Sequence, residues 1–247
     1  MRPQAIGALL WKETRQLGRN RMALLTAALL PFVILFFAPI QLLIQFKIAG
    51  AKAFDPSAVP IPGLSDIGDP LQLLVRFIYP LLFVIGGLLL PSLTTTYAIV
   101  AERERRSLEL LVSLPVSVGE ILTAKLISVL IVTALVGLPY LAIVITLLLV
   151  LGIADATVIP TLLVPFAAAV TCSTAISLLL ALLARDFRTA NNLSGAFIVP
   201  IILLTSGTLA LVPGPARAYG ASVMLLLVAA IALLAALRWV SFERYLE

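Results

Sequence analysis

The ionisable side chains of this chain are concentrated where ordinary enzyme chemistry would not place them. Residues 101–125 read Ala-Glu-Arg-Glu-Arg-Arg-Ser-Leu-Glu-Leu-Leu-Val-Ser-Leu-Pro-Val-Ser-Val-Gly-Glu-Ile-Leu-Thr-Ala-Lys and hold eight charges of alternating sign. There is no His, and the single Cys, Cys172, lies within an apolar run. Zinc centres built on His or paired Cys, Ser-His nucleophilic catalysis and disulfide frameworks therefore have no residues to use, and no metal site is expected. No Gly-x-x-x-x-Gly-Lys-Ser/Thr occurs, so the backbone cradle and lysine that hold nucleotide phosphates are missing too, and the chain itself is expected to bind no cofactor. The net charge of +5 is not laid out as a basic stripe interleaved with aromatics, which argues against a nucleic-acid partner.

What the charged stretch can do is mechanical. Ser107 is a good N-cap with Glu109 in the first turn, which predicts a short helix over about 107–113 stopped by Pro115. Leu108, Leu111 and Val112 form its apolar edge. Ser117-Val118-Gly119-Glu120 is then a capping box, with Val116 and Ile121 as its hydrophobic staple. A purely topogenic loop requires positive charge, not mixed signs, two caps and an apolar edge. A rigid, independently capped knob is what would carry force from a soluble partner.

The elements that must hold this knob are membrane helices. Of 247 residues, 62% are apolar and 12% charged, about half the charge of an ordinary globular chain. Residues 22–46 carry no charge and fifteen Leu, Ile, Val or Phe, enough to favour insertion despite Pro31, Pro39, Gln41 and Gln45. Similar stretches at 77–100, 126–151, 158–184, 193–212 and 219–237 bring the expected count to six transmembrane helices in an all-α, polytopic fold. The 21 residues before the first span, and the length of that span, argue against a cleaved signal peptide. Lys and Arg number 13 in the segments that contain the two termini, residues 101–125 and residues 185–188, against four (Lys47, Lys52, Arg76, Arg217) on the other side. By the positive-inside rule both termini face the cytoplasm. Residues 47–70 are expected to form an irregular outer loop. The links near Gly152–Thr157 and Pro213–Ala218 read as short helical hairpins.

Residues 1–21 form a second cytoplasmic element. Ile6, Leu9, Leu10 and Leu17 fall on one helical face, with Lys12, Arg15 and Arg19 opposite, as in a helix lying in the membrane interface with its basic side toward anionic lipid or protein. Glu13 projects from the apolar face and requires a cationic partner or a snorkelling rotamer there; the alternative is that Gly7 and Gly18 let the segment fray and Glu13 points to water.

Three features together resemble the permeases of ABC-2 type ATP-binding cassette transporters. The first is Lys12-Glu13 followed by Arg19-Asn20-Arg21 and Pro31. The second is Glu102-Arg103-Glu104-Arg105-Arg106-Ser107-Leu108-Glu109-Leu110-Leu111 with Pro115-Val116-Ser117, Glu120-Ile121 and Lys125. The third is six spans with cytoplasmic termini. The resemblance implies a connecting helix over 1–21, carrying Lys12, Glu13, Arg15 and Arg19, and a six-helix transmembrane domain over 22–247. It also implies a coupling helix between spans two and three that docks on a separate cytoplasmic ATPase, through Glu102, Glu104, Arg105, Arg106, Ser107, Leu108, Glu109, Leu111 and Glu120. ATP and Mg would sit on that partner, and a second permease copy or paralogue would complete a dimer, usually an exporter, in a prokaryotic cytoplasmic membrane. Family members often carry Gly-Thr where this chain has Arg106-Ser107, and many insert an outer re-entrant element for which the Pro213–Ala218 link leaves little room.

Rival readings are weaker on the residues themselves. An ATP-independent carrier or channel is the first, yet coupled carriers place Asp or Glu within the membrane and no proposed span contains one. An integral membrane enzyme would need an acid pair or an assisted nucleophile at depth. Arg76 is expected to snorkel to the outer head groups. Neutral hydroxyls at Thr94, Thr95, Thr96, Thr171, Ser173, Thr174, Ser177, Thr205, Ser206 and Thr208 either line a passage or serve close helix packing, the second being the commoner use. None of them identifies a substrate-binding residue.

Overall fold

The computed structural model describes Gly7, Leu29 and residues 31–49, 67, 69–104, 118–183 and 187–239. Nearly all of the described residues lie in helices. The first, α1, comprises a π-helical stretch Phe32–Phe37 and an α-helix Ala38–Ala49. The second, α2, runs without a break through Pro70–Leu73, a π-helical stretch Leu74–Ile78 and Tyr79–Glu104. Then follow α3 (Val118–Val150), α4 (Val158–Leu183), α5 (Phe187–Leu211) and α6 (Ala216–Trp239). Five helices are long and apolar enough to cross a bilayer, and Phe32–Ile48 is a shorter apolar helix. The chain is thus an all-helical polytopic membrane protein, with five such spans rather than six among the described residues. The N-terminal part of the expected first span, before residue 31, lies almost entirely outside them.

Burial separates the helices into two groups. In α2 and α4 most of the apolar span is covered by protein, 61% and 72%, whereas α3, α5 and α6 bury about a third or less. The first pair forms the centre and the other three wrap it, turning Leu135, Leu203, Leu227 and Ile231 outward as a bilayer permits. The centre is tight because glycine allows it. A Cβ on Gly87 would stand 3.0 Å from both the Phe166 carbonyl oxygen and the Ala169 Cβ, so α2 and α4 touch nearly backbone to backbone. On the other side of the same aromatic ring, Gly137 of α3 leaves room for the tip of Phe166.

Prolines leave these helices continuous, and the reason is local. Proline lacks the N–H that would bond four residues back, and its ring crowds that carbonyl. In both π-helical stretches the last N–H before a proline bonds five residues back instead: Ala38 to Val33 before Pro39, and Tyr79 to Leu74 before Pro80. One extra residue in the turn accommodates the ring. The contacts between α1 and α3 are aromatic, with Phe32 and Phe36 against Tyr140 at ring-centroid distances of 6.0 and 6.2 Å.

The start of α2 differs from the expected start of the second span at residue 77. Asp69 accepts a hydrogen bond from the Leu71 N–H at 3.2 Å and Pro70 occupies the first helical position, a strong start signal seven residues earlier. Arg76 is therefore held on a helix. The two short links are as expected from the sequence. After α3, Gly152 takes φ +63°, Ile153 N–H bonds the Leu148 carbonyl at 3.0 Å and Gly152 N–H bonds that of Leu149 at 3.1 Å. This is a Schellman stop, completed by Ile153 packing into the cluster that contains Leu148. Gly214, with φ +68°, turns the chain between α5 and α6.

Candidate functional site

The predicted force-bearing residues divide between described and undescribed parts of the chain. Lys12, Glu13, Arg15 and Arg19 lie outside the described residues, as do Arg105, Arg106, Ser107, Leu108, Glu109 and Leu111. The backbone is described at Glu102 and Glu104, in the last turns of α2, and at Glu120, in the first turn of α3; their side chains are not. Because α2 and α3 run in opposite directions, these positions come to the same end of the bundle. The 13 residues 105–117 join them there. Lys125, seven residues into α3, is 1% exposed, and its carbonyl accepts from the Ser128 hydroxyl at 2.8 Å.

In the middle of the bundle the neutral hydroxyls are mostly occupied by helix backbone. Thr171, Thr174, Thr205 and Thr208 each donate to the carbonyl four residues back at 2.7–2.9 Å, and Ser206 to the one three back at 2.9 Å. Ser173 of α4 reaches across to the Leu88 carbonyl of α2, one turn before Pro91. Packing, not a lined passage, accounts for these groups, and the side chains of Thr94, Thr95 and Thr96 lie outside the described residues. Thr133 and Ser194 are exceptions, both buried with no hydrogen-bond partner for the hydroxyl among the described residues.

At the other end, a cleft of about 430 Å³ opens between the start of α2, the α3–α4 turn and the α5–α6 turn. It is lined on its polar side by Gln72, Arg76, Asp155, Thr157, Thr161 and Arg217. Each is placed by a local feature. Gln72 and Arg76 stand on the first two turns of α2 fixed by the Asp69 cap, and Asp155 and Thr157 follow the Schellman stop. The Asp155 carbonyl accepts from Val158 N–H at 3.0 Å to open α4. Arg217 is 1% exposed, and its Nε donates to the Gly214 carbonyl at 2.9 Å, so the left-handed glycine that makes the turn also anchors the guanidinium.

The sequence treats Arg76 and Arg217 as separate interfacial charges, a snorkelling arginine and one contribution to a charge balance. Their convergence is signalled only indirectly, each falling within one or two turns of a helix start at the same end of the bundle. Arg76 is exposed, as expected of a side chain reaching outward, yet it also borders the cleft.

Among curated proteins none matches the sequence significantly. The family model described as ABC-2 family transporter protein matches residues 7–219, which covers α1 to α5 and only the first turn of α6. With its apolar helices, that match places the chain in the ABC-2 transporter family, as a multi-pass membrane subunit of an ATP-binding cassette transporter that works with an ATPase subunit.

Proposed function

We propose that this subunit is the permease of an exporter, moving its substrate by alternating access as a separate ATPase, holding ATP and Mg, closes and opens beneath it. The observation that carries the reading is the continuity of α2. It stays helical through Glu102, Arg103 and Glu104, so the charged segment grows out of a rigid rod whose other part is the buried centre of the bundle. A displacement applied at residues 105–117 is then delivered to α2 and, through the Gly87 contact, to α4. In this reading a coupling helix over about 107–113 docks on the ATPase through Glu104, Arg105, Arg106, Leu108, Glu109 and Leu111. Residues 1–21 form a connecting helix at the interface, with 22–247 as the transmembrane domain. Both termini face the cytoplasm of a prokaryotic cell. A second copy or a paralogue completes the pathway.

Purification of the full chain from its native host, with mass spectrometry of what accompanies it, tests this directly. An ABC ATPase is expected, and Glu104→Arg or Glu109→Arg should reduce its recovery severalfold while the permease remains folded. Recovery of a folded permease with no nucleotide-binding partner, or recovery unaffected by both reversals, would overturn the coupling scheme and favour an ATP-independent carrier.

A further inference from the structure

The cleft between the α3–α4 and α5–α6 turns lies at the end of the bundle away from residues 105–117 and has no part in the coupling scheme. Three helices begin at its wall: α2, α4 and α6 each contribute residues of their first turns, Gln72, Val158 and Arg217. Helix starts carry unsatisfied N–H groups and the positive end of the macrodipole. Two arginines add full charges, and among the described residues Asp155 is the one acidic residue in the lining, so the balance of the described lining is positive.

Arg217 discriminates between a binding site and ordinary membrane anchoring. An arginine close to the end of a membrane helix lowers its energy by extending to water and head groups. This one is 1% exposed, turned in against the Gly214 carbonyl, and borders a space of about 430 Å³. That volume is within the range of small-ligand sites. A guanidinium is a planar fork of donors, the geometry that suits phosphate and carboxylate oxygens, and the Nε bond to Gly214 fixes its orientation. Arg76 stands at the exposed side of the same space, and Val75, Ile153 and Val158 supply an apolar wall.

We propose that this cleft binds an anionic group of phosphate or carboxylate type, Arg217 gripping it from within and Arg76 closing on it from the exposed side. Its bearer is either a membrane lipid, whose head group meets the cleft at the helix ends, or a soluble anion. The site does not require that an ATPase drive the chain.

The full chain, in a neutral maltoside detergent and with any co-purifying partner retained, is heated with increasing dihexanoyl phosphatidylglycerol, dihexanoyl phosphatidylcholine or inorganic phosphate. A saturable rise in Tm is expected with an anionic probe and not with phosphatidylcholine. Protection by inorganic phosphate identifies a soluble anion as sufficient, and protection by phosphatidylglycerol alone identifies a lipid head group. Arg76→Gln, at an exposed position that the fold does not need, should weaken the apparent affinity about tenfold, the loss of one charged hydrogen-bonding partner. Arg217→Lys should weaken it as well, and Asp155→Asn should strengthen it by removing the opposing charge. No saturable shift with either anionic probe, an equal shift with phosphatidylcholine, or an anion response unchanged in Arg76→Gln would each overturn the proposal.

Discussion

The Tyr79 hydroxyl donates a 2.8 Å hydrogen bond to the Pro39 carbonyl, linking the residue that ends one π-helical stretch to the proline that follows the other. Tyr79 is fully buried and stacks on Phe83 at 6.2 Å, so the bond forms where water cannot replace it. Tyr79→Phe keeps the ring and removes the donor. The expected cost is about 0.5–1.5 kcal/mol, read as a lowered Tm in detergent with unchanged helix content by circular dichroism. A Tm equal to that of the parent would show that α1 is held by its aromatic contacts alone.

Gly87 sets the distance between the two central helices. Gly87→Ala places a methyl carbon 3.0 Å from backbone oxygen and from Ala169, and should destabilise by about 1–3 kcal/mol despite alanine's better helix propensity. Gly195 of α5 has open space where a methyl group would go, and so provides the control: Gly195→Ala should be neutral or stabilising. Thermal unfolding of the two variants side by side separates packing from propensity.

Thr133 makes the opposite prediction for a polar group. Its buried hydroxyl has no partner, so Thr133→Val removes an uncompensated desolvation cost and should leave stability unchanged or higher by an amount on the order of 1 kcal/mol, read from Tm. A marked loss of stability would mean that the hydroxyl is bonded to a buried water.

Cys172 is the chain's one thiol and is fully buried in α4 against α2 and α6 side chains. Maleimide should therefore fail to label the folded protein in detergent and should label it fully after denaturation. Rapid labelling of the native protein would place an aqueous path through the centre of the bundle.

The transmembrane helices are legible in the sequence because hydropathy is a sum over some twenty residues and survives local irregularity. The Gly152 and Gly214 turns are legible because a left-handed backbone selects glycine. The start of α2 falls seven residues before its expected place because a hydropathy window that stops at the charge of Arg76 ignores Asp69-Pro70, a cap signal carried by two residues. The polar cleft is legible only indirectly, in the nearness of its charges to helix starts. Arg76, Asp155 and Arg217 are 79 and 62 residues apart in sequence, and only the packing of α2, α4 and α6 brings them to one wall. Nor does composition announce a π-helical stretch, since it depends on a proline ring and on what the widened turn packs against.

Those stretches have a geometric effect on the helix that contains them. In α1 the buried positions are Pro31, Leu35, Pro39 and Leu43, a spacing of four throughout. In an unbroken α-helix twelve residues at that interval drift by about 120°, a third of the circumference. One inserted residue takes back about 100° of the drift, so the four side chains stay in line along the seam with the bundle. The widened turn before Pro39 thus acts as a phase correction, allowing a straight row of contacts to be written in a sequence repeat that an ideal helix would wind away from its neighbours.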